Sequence, residues 1–129
     1  MRLLLDTHAV IWALTDPSQL SPTAQNAIQN PRNEVFASSV NAWEVSIKYH
    51  LGKLPEGAQI LPVYHASLAK ARFLELLISS EHGIRAGSLT WAHRDPFDRL
   101  LVAQSQLEAM TLVTSDTIIQ QSALVAVLW

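Results

Sequence analysis

The sequence predicts an α/β domain of three layers, in which helices cover both faces of a central, mostly parallel sheet of four to five strands. Short apolar runs alternate along the chain with longer segments of helical period, as they do when crossover helices join parallel strands. The first run, Leu3–Leu5, is wholly apolar, as in a strand buried on both faces. With 129 residues, 49% of them hydrophobic, the chain suits one domain over residues 1–129 and has no room for a second core.

Turn and capping residues divide the first half of the chain into elements. Asp16-Pro17-Ser18 and Pro31 are turn residues that end two helices. Ser21-Pro22 offers an N-cap followed by proline at the first helical position, and Gly52 offers a C-terminal stop. In order, the predicted elements are a strand at Arg2–Leu5, a helix at His8–Leu14, a helix from Ser21-Pro22 to about Asn30, a strand at Glu34–Ala37 and a helix from Ser38-Ser39 to Leu51.

The second half of the chain is divided by the same kinds of residue. Pro55 and Gly57 favour a loop, and Asp95-Pro96 repeats the signal of an N-cap followed by proline. In order, the predicted elements are a loop at 53–59, a helix at Leu61–Phe73, a strand at Leu74–Ile78, a short helix from Ser80 to about Leu89, a longer helix from Asp95-Pro96, a strand at Thr111–Thr114 and an edge strand at Leu124–Leu128.

The composition excludes several classes of protein. There are no cysteines, which rules out disulfides, thiolate metal sites and cysteine nucleophiles and suits a reducing cytoplasm. The apolar run from Leu3 is far too short for a signal peptide, and no stretch is long enough to span a membrane, so we expect a soluble, cytoplasmic protein. A net charge of −2 lacks the basic balance of many nucleic-acid binders, so any contact with nucleic acid must be local.

Four carboxylates stand where an apolar strand gives way to a helix or in the first turns of a helix: Asp6, Glu44, Asp98 and Asp116. In open parallel sheets the ligand site lies beyond the carboxyl ends of the strands, so we expect these side chains to meet at that edge. Clustered carboxylates resist joint ionisation unless a cation neutralises them, and hard oxygen ligands suit Mg²⁺ or Mn²⁺. The expected chemistry is phosphodiester hydrolysis by a metal-activated water.

Four segments of the chain resemble PIN-domain proteins in order and spacing: Leu3–His8, Ser38–Glu44, His93–Ala103 and Leu112–Asp116. Within that family the chain is most similar to the VapC-type toxins of toxin–antitoxin pairs. The resemblance implies a PIN-like fold, a Mg²⁺- or Mn²⁺-dependent endoribonuclease, and the four acids as its catalytic and metal-binding site. It also implies a homodimer and a VapB-type antitoxin whose helix lies in an apolar groove, which we place near Trp12 and the helix from Ser21.

Each acid also fits a purely structural role. Asn41 with Glu44 fits an N-cap and its reciprocal acid, and Glu44 with Lys48 fits an i,i+4 ion pair. Asp95 is assigned to the cap of its helix, where Asp98 would be the third residue. Asp116 also fits the cap of a final short helix, and Asp6 fits an Asx turn that ends its strand. Coincidence of all four is the weaker explanation, because perturbed carboxylates concentrate at functional sites.

Other residues near the acids are secondary candidates. Arg94 and Arg99 suit RNA phosphate, with ion pairs to Asp95 or Asp98 as the alternative. Thr114 and Ser115 suit orientation of a carboxylate or water, or simple capping. His93 suits a proton shuttle near neutral pH, but a packed or surface role is favoured because no histidine shows metal-ligand spacing, and no histidine is assigned to catalysis. The tryptophans suit base stacking or a partner contact, except that Trp43 falls on a stripe expected to face the core: Val40, Trp43, Ile47 and Leu51.

Three other classes of protein are alternatives to the nuclease: an aspartyl-phosphate enzyme, a receiver domain and a binding module. A haloacid-dehalogenase-like phosphatase needs a second aspartate two residues after Asp6, where this chain has His8. A receiver domain needs an acidic pair at the first strand and a later lysine, which are not evident. A catalytically inert PIN-like module that binds RNA or protein is the remaining alternative, and the complete set of four acids argues against it.

Overall fold

A parallel five-stranded sheet forms the centre of the molecule, with strands in the order β3-β2-β1-β4-β5. The structure is a computed structural model that describes residues 1–129. The elements in chain order are β1 (Arg2–Leu5), α1 (Thr7–Thr15), a 3-10 turn (Pro17–Gln19), α2 (Pro22–Gln29), β2 (Glu34–Ser38), α3 (Ser39–His50), α4 (Gly57–Ile60), a 3-10 turn (Leu61–Val63), α5 (Tyr64–Lys70), β3 (Leu74–Leu76), α6 (Ser80–Ser88), α7 (Pro96–Leu107), β4 (Thr111–Val113), α8 (Thr117–Gln121) and β5 (Val127–Leu128).

Alternation along the buried strands gives the sheet two apolar faces. Leu3 and Leu5 of β1 point to one face and Leu4 to the other, because successive side chains of a strand project in opposite directions. The first face packs against residues of α1, α2, α3 and α5, and the second against residues of α3, α7 and α8. The predicted three-layer α/β/α architecture is confirmed.

The register of the sheet brings the ends of β1 and β4 level with each other. Leu5 pairs with Val113 across the two strands, and the N–H of Asp6 donates to the carbonyl oxygen of Val113 at 3.1 Å. Asp6 and Thr114, the next residues of the two chain segments, therefore lie level with each other at the ends of β1 and β4. This edge is the carboxyl end of the sheet, where helices α1, α3 and α8 begin.

The third strand is shorter than the predicted 74–78, because Leu77 and Ile78 leave the sheet. The N–H of Ile78 donates to the hydroxyl of Ser39 at 3.2 Å, so a side chain replaces the next bond of the ladder. The fifth strand is at an edge, as predicted, but covers only Val127–Leu128.

The predicted loop at 53–59 was wrong at its end, where α4 begins at Gly57. Gly57 lies against Tyr49 of α3 so closely that an added Cβ would be 2.6 Å from the Cβ of Tyr49. Glycine was therefore a signal of close helix packing here, although its sequence context favoured a loop. The predicted stop at Gly52 is confirmed, with a left-handed φ of 74°.

The helices of this fold are short. None of them has the length and continuous apolar character needed to cross a lipid bilayer.

Candidate functional site

Asp6 and Asp116 lie just past the ends of the adjacent strands β1 and β4. Asp6 caps α1, where its Oδ1 accepts from the N–H of Ala9 at 2.8 Å, and Asp116 caps α8, where its Oδ1 accepts from the N–H of Ile118 at 2.8 Å. The buried hydroxyl of Thr114 accepts from the N–H of Asp116 at 3.0 Å. The capping roles are real, and each aspartate keeps a second carboxylate oxygen for other partners.

Glu44 ends a buried chain of hydrogen bonds that begins at the end of β2. The N–H of Ser38 donates to Oδ1 of Asn41 at 2.7 Å, and Nδ2 of Asn41 donates to Oγ1 of Thr7 at 3.0 Å. The Thr7 hydroxyl in turn donates to Oε1 of Glu44, and the Lys48 ammonium donates to Oε2. Because Glu44 is only 5% exposed, these partners fix its carboxylate in one orientation.

The cap of α3 is at Ser38, where the helix was predicted to begin, and not at the alternative Asn41. Ser38 is the N-cap residue, its hydroxyl accepts from the N–H of Val40 at 3.1 Å, and Asn41 supplies the reciprocal side chain. The alternative role of Glu44 as the reciprocal acid of an Asn41 cap was therefore wrong. Its alternative role as the partner of Lys48 is seen, but on a buried carboxylate rather than a solvated helix face.

Asp98 lies in the first turn of α7, which Asp95 caps by accepting from the N–H groups of Phe97 and Asp98 at 2.9 and 3.1 Å. Its Oδ2 is 2.7 Å from Nε2 of His93. His93, for which a packed or surface role was expected, is half-buried and packs against Trp91 with 4.8 Å between ring centroids, and its ring also contacts a predicted site residue. Potential ligand atoms of His93, Asp95 and Asp98 all lie within 4.8 Å of one another.

The pKa of Asp98 reflects its burial and the charges of the acids near it. Burial raises the pKa of Asp98 to about 6, and its hydrogen bond with His93 acts in the opposite direction. Like charges raise the pKa further, and they come from Asp95, Asp116 and Glu44. Asp98 therefore lies within electrostatic range of both Asp116 and Glu44, although these three come from different helices.

Asp6 completes the group from the side of β1. Burial raises its pKa above the ordinary 3.8, against the opposing effect of hydrogen bonds with the Thr114 hydroxyl and the Ala9 N–H. The charge of Glu44 adds to the increase. All four predicted acids thus lie at one edge of the sheet, where the charge of Glu44 acts on Asp6 and the charges of Glu44 and Asp116 act on Asp98. A cluster of carboxylates held in this way suits a hard divalent cation, which would remove the repulsion among them.

Three further residues belong to this site: Thr7, which the sequence did not single out, and Asn41 and Lys48, which were considered only as a helix cap and an ion-pair partner. Thr7 follows Asp6 directly, and Asn41 and Lys48 lie one helical turn before and after Glu44. The spacing of Asn41 and Lys48, three residues before and four residues after Glu44, places all three on one face of a helix and could have indicated these contacts.

Arg99 acts as a structural clamp. Its Nε, Nη1 and Nη2 donate at 2.9 Å to four carbonyl oxygens, one in the last turn of α6 and three in the segment between α6 and α7: Ala86, Leu89, Trp91 and His93. The ion pair with Asp95 or Asp98 considered as its alternative role was wrong, and one of the five N–H groups of the guanidinium remains without one of these carbonyl partners. Arg94 is exposed beside an open depression of about 430 Å³ that Trp91 and Arg99 also line. Ser115 is half-buried between Thr114 and Asp116.

The core-facing stripe predicted for α3 was wrong at two positions. Trp43 is 51% exposed and Leu51 is 64% exposed, while Asn41 and Glu44 take up buried positions of the helix. Helix α3 turns a polar stripe inward because it helps to build the acidic edge. The Trp43 ring instead packs edge-on against the partly buried ring of Phe97, 5.0 Å between centroids, so an aromatic pair with one exposed ring lies beside Glu44 and Asp98.

An apolar groove of about 490 Å³ lies between α2 and the starts of β2 and β3. Its lining includes Ala13, Leu20, Ile28 and Phe73, with Glu34 and Arg72 at charged positions. The groove adjoins the helix from Ser21, as expected, but Trp12 does not line it. Trp12 packs against Trp129 instead, 5.9 Å between ring centroids.

Comparison with known proteins gives a consistent family. The family model described as PIN domain matches residues 3–123. Among solved structures, VapBC2 from Rickettsia felis, crystallised with a DNA fragment from its promoter, is similar with a TM-score of 0.72 at 18% identity, covering 98% of this chain and 97% of that chain. FitAcB from Neisseria gonorrhoeae is similar with a TM-score of 0.63 at 18% identity, covering 97% and 95%.

A third similar structure is VapBC-1 from nontypeable Haemophilus influenzae, with a TM-score of 0.61 at 16% identity, covering 98% of this chain and 96% of that chain. No curated protein matches the chain in sequence. At these identities the solved structures show a shared fold over nearly the full length of both chains.

Proposed function

Since the chain belongs to the PIN domain family, we propose that it is a Mg²⁺- or Mn²⁺-dependent endoribonuclease that acts in the cytoplasm as the toxin of a type II toxin–antitoxin system. The observation that carries the proposal is the group of four interacting carboxylates at the carboxyl edge of the sheet, two of them with raised pKa values: Asp6, Glu44, Asp98 and Asp116. Residues 1–129 would act as one PIN-like domain.

In this proposal Asp6, Asp98 and Asp116 hold the cation, with Glu44 as a ligand directly or through water. Such a cation, when bound, lowers the pKa of a coordinated water and neutralises charge that builds on the phosphate. Thr114, whose hydroxyl contacts the backbone of Asp116 and the side chain of Asp6, keeps these two acids oriented just past the ends of β4 and β1. The chain needs no side-chain nucleophile, because the attacking group is water.

RNA would reach this edge through groups that surround the acids. Arg94 is exposed and suits a phosphate oxygen, with the remaining N–H of Arg99 and the hydroxyl of Ser115 as further contacts. The exposed ring of Trp43 suits stacking on an unpaired base, because aromatic faces recognise bases that are not stacked in a helix. Local contacts of this kind are compatible with a net charge of −2.

The partners of the proposed toxin are a VapB-type antitoxin and a second copy of the chain. Support comes from the similar structures of VapBC complexes and from the groove of about 490 Å³ beside α2. A groove of this kind suits the apolar face of a partner helix. Ile28→Glu would place a charge in the groove and should prevent formation of a complex with the antitoxin, whereas an exposed change at Ser88 should not.

The direct test of the nuclease is sequencing of the RNA ends that accumulate when the chain is expressed in bacteria. New 5′ ends at defined positions should appear with the wild type, together with growth arrest, and both should be absent with Asp98→Asn. If cells that express Asp98→Asn show the same RNA ends and the same growth as cells that express the wild type, the nuclease proposal is wrong. The alternative function, a catalytically inert PIN-like module that binds RNA or protein, predicts that outcome.

A further inference from the structure

Lys48 places a permanent positive charge within the acidic group. Its Nζ donates to Oε2 of Glu44, and its side chain is 34% exposed while that of Glu44 is 7% exposed. Burial acts against the charged form, but the hydrogen bond and charge of Glu44 outweigh it and raise the pKa above 10.5, with help from Asp95 and Asp98. The ammonium therefore interacts with acids on two helices and not only with its neighbour on α3.

The carboxylate of Glu44 is fully engaged by these contacts. Oε2 meets the Lys48 ammonium, and Oε1 meets the Thr7 hydroxyl, which Asn41 holds from its other side. The other three acids are different, because the ammonium bonds to none of them. Asp6 and Asp116 keep an oxygen outside their helix caps, and Asp98 is paired with the imidazole of His93. A first divalent cation thus has three acids that can bind it directly, whereas Glu44, held by Thr7 and Lys48, would reach that cation through water.

Two-metal phosphodiesterases hold their ions about 3.5–4 Å apart and share carboxylates between them. An ammonium in hydrogen-bond contact with one carboxylate oxygen stands where a second ion would bind that carboxylate. Repulsion between a single and a double charge at such a separation is large in a partly buried site.

We propose that Lys48 is a resident cation that takes the place of a second divalent ion beside Glu44, so that the site binds one divalent ion per chain. This inference rests on the proposed metal-dependent function and adds to it the number of ions. The ordinary alternative is an i,i+4 ion pair that only stabilises the helix. That alternative predicts a change in stability when Lys48 is replaced and no change in metal binding.

The number of divalent ions bound per chain distinguishes the resident-cation proposal from the ordinary ion pair. Mn²⁺ would be titrated into the full chain at pH 7 without RNA, with stoichiometry from calorimetry and from electron paramagnetic resonance of free Mn²⁺. The variants are Lys48→Met, which removes the charge, and Lys48→Gln, which keeps a hydrogen bond to Glu44 if Lys48→Met does not fold. Lys48→Arg retains the charge. Lys53→Met and Lys70→Met make the same change of net charge at exposed lysines.

The expected result is one Mn²⁺ per chain for the wild type, Lys48→Arg and both surface controls, and two for Lys48→Met and Lys48→Gln. The gain should be absent from Glu44→Gln combined with Lys48→Met, because the second ion would need the Glu44 carboxylate. Equal numbers of ions in the wild type and the uncharged variants would overturn the inference and leave the proposed nuclease intact. No Mn²⁺ binding in any of these proteins would overturn both.

Discussion

The hydroxyl of Thr7 donates to Oε1 of Glu44 and so joins the first turn of α1 to the middle of α3. Both side chains are buried, with 4% and 5% exposure. The same hydroxyl accepts from Nδ2 of Asn41 at 3.0 Å. One small side chain therefore completes the hydrogen bonding of an acid and an amide that have no access to solvent.

Thr7→Val should destabilise the fold although it preserves the shape of the side chain. Replacing the hydroxyl by a methyl group leaves Oε1 of Glu44 without a donor and Nδ2 of Asn41 without an acceptor, and unpaired buried groups of this kind cost about 2–3 kcal/mol. Urea unfolding at pH 7 measures the change. Thr7→Ser keeps the hydroxyl and loses only a methyl group, worth about 1 kcal/mol. If Thr7→Val lowers the free energy of unfolding no more than Thr7→Ser does, the hydrogen bonds of this hydroxyl contribute nothing to stability.

Arg99→Met should loosen the segment between α6 and α7. Four carbonyl oxygens lose a charged donor, and part of that loss is recovered by water, so we expect a cost of about 2–3 kcal/mol. Hydrogen exchange of residues 87–95 should become faster than in the wild type, because the clamp holds that segment. Lysine cannot replace the clamp, since it lacks the planar fork of donors.

Arg94→Met is the matched control for that change. Arg94 is exposed, so its replacement should alter stability by less than about 0.5 kcal/mol. Equal exchange rates over residues 87–95 in the Arg99 variant and the wild type would refute the clamp.

Tyr64→Phe should make the protein less sensitive to alkali. Burial raises the pKa of Tyr64 to about 12, with a further contribution from the charge of Glu75, against 10.0 for an unperturbed tyrosine. Its contribution to stability is complete below pH 10 and is lost as pH rises from 10 towards 12, because only the unfolded chain ionises in that range. Unfolding by urea at pH 7, 9 and 11 should show a shallower decline for the variant.

The same replacement should do no harm at pH 7. The buried hydroxyl of Tyr64 has no hydrogen-bond partner, so phenylalanine should be neutral or stabilising by up to about 1 kcal/mol. A clear loss of stability at pH 7, or an unchanged decline above pH 10, would contradict the environment described for this side chain.

The predictable part of the fold depended on local signals. Leu3–Leu5 is apolar throughout because β1 is buried on both faces, and Ser21-Pro22 and Asp95-Pro96 begin helices because they satisfy free N–H groups. The position of Asp6 and Asp116 at one edge followed from parallel pairing of the strands before them.

The part that could not be predicted depends on contacts between distant segments. The buried polar stripe of α3 can be explained only once Thr7 and Asp98 are known to lie beside it. Without those contacts, the apolar period of the helix placed Trp43 in the core, where the structure does not have it. Arg99 likewise bonds to backbone carbonyls, which every residue possesses, so no pattern of side chains could indicate its clamp.

Thermal unfolding with and without Mn²⁺ tests most directly whether the acids form one cation site. Because a ligand that binds only the folded state stabilises it by about 2.7 kcal/mol at 100 times its Kd, Mn²⁺ should raise the Tm of the wild type in a concentration-dependent way. Asp6→Asn should fold and lose that shift, while Asp16→Asn, at an exposed acid outside the cluster, should keep it. A full Mn²⁺ shift in Asp6→Asn, or none in the wild type, would contradict the proposed metal-dependent nuclease.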